Sequence, residues 1–141
     1  APAWAQAPAA PANDMQALRN AVKADKRALV ERTLELTPQE ATKFWPVFDK
    51  YQRAVNASNR QVALAVEDIV ARDRPMSDQF ARQLAKEMMD ADQAELKARQ
   101  TMQKGVLKAL PPKKAARYLQ LESKIRAFQD YDLAVAIPLV K

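Results

Sequence analysis

The chain has no histidine, no cysteine and only one glycine among its 141 residues. Each absence excludes something. Without cysteine there is no disulfide, no thiolate nucleophile and no sulfur-ligated zinc. Without histidine the chain lacks an imidazole base and the commonest transition-metal ligand. Carboxylate-only metal sites would need acids paired a turn apart on an apolar face, and no such pairing is evident. A single glycine, Gly105, leaves almost no means of making hairpin turns that require positive φ. Long hydrophobic runs are also missing, and none approaches the ~20 apolar residues that span a bilayer. There is no P-loop, and spacing assembles no nucleophile–base pair. The expectation is a protein that is not an enzyme and takes no cofactor or metal.

What the chain does contain favours helices. Ala, Leu, Lys, Arg, Gln and Glu, all good helix formers, dominate. Apolar residues make up 48% of the chain but aromatics only 6%, so the core must be built mostly of aliphatic side chains. The expected fold is all-α, with one domain over residues 13–141. Residues 1–12 are Ala- and Pro-rich and too poor in large apolar groups to offset the entropy of ordering, so a disordered tail is expected there. Ala3-Trp4-Ala5 before Gln6 has the small-residue pattern of a signal-peptidase site. That predicts export and a soluble mature protein.

Four helices are expected. Asn13 or Asp14 caps the first, which carries Met15, Leu18, Val22 and Leu29 on one stripe to about Leu34. Asp25 interrupts that stripe and predicts loose packing. Thr37, Pro38 and Glu40 form a capping-box start for the second. Phe44, Phe48, Tyr51, Val55, Ser58, Val62, Ala65 and Ile69 then alternate steps of four and three, a helix–helix seam. Pro46 should bend this helix without breaking it. Arg72 to Met76 is the turn, and Ser77 caps a third helix with Phe80, Leu84, Met88, Ala91, Ala98 and Met102 in its seam, ending near Gly105 to Ala109. Pro111 and Pro112 precede a fourth, with Ala115, Tyr118 or Leu119, Glu122, Ile125 and Phe128. Two long helices joined by a short turn make a central antiparallel hairpin. The apolar segment from Tyr131 to Lys141 should dock on the helices or on a second subunit.

One stretch occurs twice. Leu36-Thr37-Pro38-Gln39-Glu40-Ala41-Thr42-Lys43-Phe44 returns as Leu110-Pro111-Pro112-Lys113-Lys114-Ala115-Ala116-Arg117-Tyr118. Leu, Pro and Ala repeat in step, Lys43 matches Arg117 and Phe44 matches Tyr118. The first copy, with Phe44-Trp45-Pro46-Val47-Phe48 after it, resembles the Spy/CpxP family of periplasmic proteins, which carry two Leu-Thr-x-x-Gln motifs. The likeness covers about residues 14 to 130, and the motif residues are Leu36, Thr37, Pro38, Glu40, Leu110 and Pro112. Glu40 and Lys114 stand where the family has Gln, and Pro111 where it has a second Thr. The resemblance implies a dimeric cradle of helical hairpins. It also implies an ATP-independent chaperone for unfolded or misfolded envelope proteins. The alternative is an envelope-stress regulatory module that binds a sensor kinase or anti-sigma factor.

Two features of the sequence bear on partners. Between Leu96 and Leu121 lie Lys97, Arg99, Lys104, Lys108, Lys113, Lys114 and Arg117 with no acid. This region supplies most of the net charge of +6 and predicts a positive surface that attracts acidic or unfolded partners. No nucleic-acid motif or aromatic interleaving accompanies these charges, so nucleic acid is not the expected partner. Met88 and Met89 are adjacent and cannot both face one seam, and Trp45 is expected to point away from Phe44 and Phe48. Together with the cations they form the expected client or partner surface.

Overall fold

The structure, a computed structural model, describes residues 14–72 and 74–141. The expected 1–12 tail, the Ala-x-Ala site and Asn13 lie outside the described residues. Those described form four α-helices and no strand: α1 Met15–Leu34, α2 Pro38–Ala71, α3 Asp78–Ala109 and α4 Pro112–Ala136.

Local chemistry sets most of the boundaries. Asp14 caps α1, its carboxylate accepting from the backbone N–H groups of Gln16 and Ala17 at 3.0 and 3.1 Å. Asp25 leaves the helical region (φ −168°, ψ 98°), and its carboxylate accepts from Ala28 N–H at 3.0 Å. It is therefore an N-cap inside the helix, which restarts in a new direction. The expected loose packing is not seen, because the break re-aims Leu29, Val30 and Leu34 into the core, each at most 1% exposed.

Glu35 ends α1 in the left-handed region at φ 50°. Its carbonyl, exposed by that turn, accepts from Lys114 Nζ at 2.8 Å. Thr37 and Glu40 form the capping box reciprocally: Glu40 N–H donates to Thr37 Oγ1 at 3.2 Å, and Thr37 N–H donates to Glu40 Oε1 at 2.9 Å. α2 runs on through Pro46 without interruption. Ser77 Oγ accepts from Phe80 N–H at the start of α3. α4 starts at Pro112 with no side-chain cap, since Pro111 has nothing to offer.

α2 and α3 make the most extensive helix contact. They run antiparallel, with Ser58 opposite Ala91 and Val47 opposite Gly105. α1 runs antiparallel along α4, as Arg19–Asp132, Lys26–Glu122 and Lys114–Glu35 show.

Burial is concentrated at one end. Phe44, Phe48, Tyr51, Met102, Val106, Tyr118, Leu121 and Ile125 gather with Leu18, Leu29 and Leu34 into one core where all four helices meet. Beyond it the hairpin projects with a thin seam, in which, among the described residues, only Ser58, Leu84 and Ala91 are buried. α4 turns from the core toward the hairpin tip. After it, Pro138 and Val140 come near Ile69, Val70 and Met76 while Leu139 stays 92% exposed, and Met76 N–H donates to the backbone oxygen of Lys141 at 3.3 Å. The tail expected to dock thus reaches the turn between α2 and α3, but it buries little of its apolar surface there.

Candidate partner-binding surface

The repeated stretches meet each other. Lys114 Nζ donates to Glu40 Oε1 at 2.7 Å, and the two residues are 74 positions apart. Phe44 and Tyr118, separated by the same interval, stack edge-on with ring centroids 4.9 Å apart and planes at 80°. Equivalent positions therefore face one another, as they do around a local two-fold axis. The bond from Lys114, then that from Thr37 N–H, holds the Glu40 carboxyl below its ordinary value of 4.5.

Behind this junction lies a buried polar network. Lys26 bridges to Glu122 at 3.0 Å and donates to Gln52 Oε1 at 2.9 Å, while Tyr118 Oη donates to Glu122 Oε1 at 2.8 Å. Glu122, on the apolar stripe of α4, is thus fully paired in the core. Burial, then the negative charge of Glu122, pushes the Tyr118 hydroxyl far up. Burial followed by Glu122 and Glu95 pushes Tyr51 up to about 12. Glu122 occupies a stripe position of α4 in the sequence, and a carboxylate at such a position is the available signal.

The expected surface residues divide into several groups. Trp45 does not point away: its ring meets Phe44 at 5.0 Å and Phe48 at 5.2 Å, and the Arg27 guanidinium covers its outer face at 4.0 Å. An indole is large enough to reach back across the helix from an off-seam position, so Trp45 is half-buried. Lys114 is not free for a partner either, because Glu40 and the Glu35 carbonyl hold it. Arg117, although exposed, reaches the Thr33 carbonyl.

The remaining cations do not form one face. Arg99 turns toward α4, Lys97 turns to the opposite side of the hairpin, and Lys113 stands exposed at the start of α4. Lys104 and Lys108 are also exposed. A helix turns about 100° per residue, so cations close in sequence need not share a side. Met88 and Met89 are exposed as expected, at 47% and 62%.

Sequence reading missed the slot between α4 and the hairpin. The last turns of α4 stand off from α2 and α3, leaving an opening with two mouths. One mouth, of about 450 Å³, is lined by Val55, Val62 and Tyr51. The other, of about 650 Å³, is lined by Met88, Leu96, Arg99 and Ile137. Asp92, Glu95, Arg126, Asp130 and Leu133 border both. The slot offers apolar side chains and charges of both signs along the thin-seamed part of the hairpin. Among the described residues no helix is long and apolar enough to cross a membrane. Compared with known proteins, the chain matches no family model, no curated protein and no solved structure.

Proposed function

We propose that the chain is a chaperone-like holding protein, similar to the Spy/CpxP family, that binds unfolded or misfolded envelope proteins without nucleotide. The reading includes export to the periplasm and a homodimer. The observation that carries it is the slot, where Met88, Leu96 and Leu133 are all exposed beside Arg99 and Arg126. Flexible and aliphatic side chains next to paired-sign charges suit varied, weakly held chain segments better than one fixed ligand. The twin motifs of the resemblance support the same reading, since both sit at the junction that organises the core.

Light scattering of a reductant-denatured client tests the proposal. An equimolar amount of the protein should suppress scattering, and Met88→Ser with Leu96→Ser should weaken suppression several-fold without changing the melting temperature. No suppression across several unrelated clients would sink it. Capture of a single saturable envelope partner in place of many would favour the regulatory alternative.

A further inference from the structure

On the side of the hairpin away from α4, the close approach of α3 to Val47 leaves a groove of about 490 Å³. Its floor is made of Val47, Ala54, Ala94, Ala98, Thr101 and Gly105. Lys50 stands on one wall and Lys97 on the other. The walls continue as cationic rails. Lys43 precedes Lys50 by one heptad on α2, and Lys104 follows Lys97 by one heptad on α3, with Lys108 a further turn on. A heptad rises about 10 Å along a helix, so each rail repeats its charge at that interval.

All five lysines are exposed. Among the described residues, none of them has a carboxylate within ion-pair distance. The one acid of α2 within this stretch, Asp49, is turned to Arg27 on α1.

We propose that this groove binds an acidic amphipathic helix of another polypeptide, which lays its apolar face on the floor and its carboxylates along the lysine rails. The inference rests on the reading of this chain as a holder of other polypeptides, and it assigns that activity a second, charge-selective site. Two arguments favour a helix. Small residues on the floor let another backbone approach closely, as Gly105 already lets α3 approach α2. Cations repeated at one heptad on both walls match acids repeated at one heptad, whereas a single-headed anion would need only one pair. Several unpaired cations in register also give steering that weakens with salt.

The experiment uses a fluorescent synthetic helix of about three heptads, with Leu on one face and Glu flanking it. Binding to the full chain is followed by anisotropy. The Glu peptide should bind and lose affinity at least tenfold in about 0.5 M salt, while its Lys counterpart should not bind. The double substitution Lys50→Glu, Lys97→Glu should weaken binding by about tenfold or more. Ala94→Phe, which fills an exposed part of the floor, should weaken it while leaving the melting temperature unchanged. Lys113→Glu, a cation outside the groove, should change affinity less than about twofold.

Equal binding of both peptides, or indifference to the Lys50 and Lys97 reversals, would overturn the proposal. Displacement of the Glu peptide by phosphatidylglycerol vesicles but not by excess unlabelled peptide would overturn it in favour of an anionic lipid. Client scattering measured on the same variants separates the two claims. Suppression retained with no peptide binding refutes the groove alone, and peptide binding with no suppression refutes the general holding activity alone.

Discussion

Glu122 is the most consequential single residue, because it is a carboxylate in the core whose side chain is only 5% exposed. Its partner Lys26 and the Tyr118 hydroxyl complete its shell. Such a pair contributes little net stability, but removing one member strands a buried charge. Lys26→Met should therefore cost about 3–5 kcal/mol in urea unfolding, and adding Glu122→Met should recover much of that loss.

Glu40 gives a pH signature. Its folded value lies below the ordinary 4.5, so its stabilisation is present above 4.5 and is lost as pH falls through the lowered value. Glu40→Gln should melt earlier than the parent near neutral pH, and the two curves should converge in acid. Tyr51 works in the opposite direction. With a folded value of about 12 against an ordinary 10.0, it stabilises the fold below 10.0, and that contribution drains away as pH rises through about 12. Ultraviolet titration should show Tyr51 ionising near 12, and Tyr118 only with unfolding.

Among the helices, the contact of α2 with α3 depends on Gly105. A Cβ there would lie 2.9 Å from Val47 Cγ1, and Val is stiff at χ1. Gly105→Ala should gain about 1 kcal/mol of helix propensity and lose at least as much to this clash. In a Val47→Ala background the same change should be stabilising, a non-additivity that denaturant unfolding of the four variants measures.

Much of this scale was legible in the sequence. Thr37, Glu40 and Ser77 act within four residues, and the α2 seam is periodic, so local pattern sufficed. Asp25 looked like a flaw because its capping partner, Ala28, becomes visible only once the helix restarts. The α1–α4 pairing and the bond from Lys114 to Glu40 were not legible, since nothing local encodes which distant helix an apolar stripe will meet. Trp45 was misread for a related reason. Wheel position gives the direction of Cβ, whereas a large ring follows its rotamer and its cover, here Arg27.

The whole molecule has a packed end and a thin end. Four helices bury large side chains around Phe44 and Tyr118, while the far half of the hairpin is held by a narrow seam. Local opening follows such differences in buried contact. Amide exchange should be slowest in Phe44–Tyr51 and Tyr118–Ile125 and much faster from Asn59 to Leu84. Leu84→Ala, in the thin seam, should speed exchange through the far half of the hairpin without altering the packed end. The slot lies on this thin half, so local opening can reshape it while the core stays formed.

The meeting of Glu40 with Lys114 also gives the junction between the two stretches a direction. A side chain that faces its own equivalent across an axis must suit itself, and two aromatic rings do so as easily as Phe44 does with Tyr118. A carboxylate facing a carboxylate does not, nor does an ammonium facing an ammonium. Opposite charges at the two equivalent positions therefore give the junction a polarity: a first stretch accepts a second stretch and repels another first. If two chains ever exchanged halves, only the crossed pairing would re-form this contact, so the fault-tolerant assemblies are those that keep one of each.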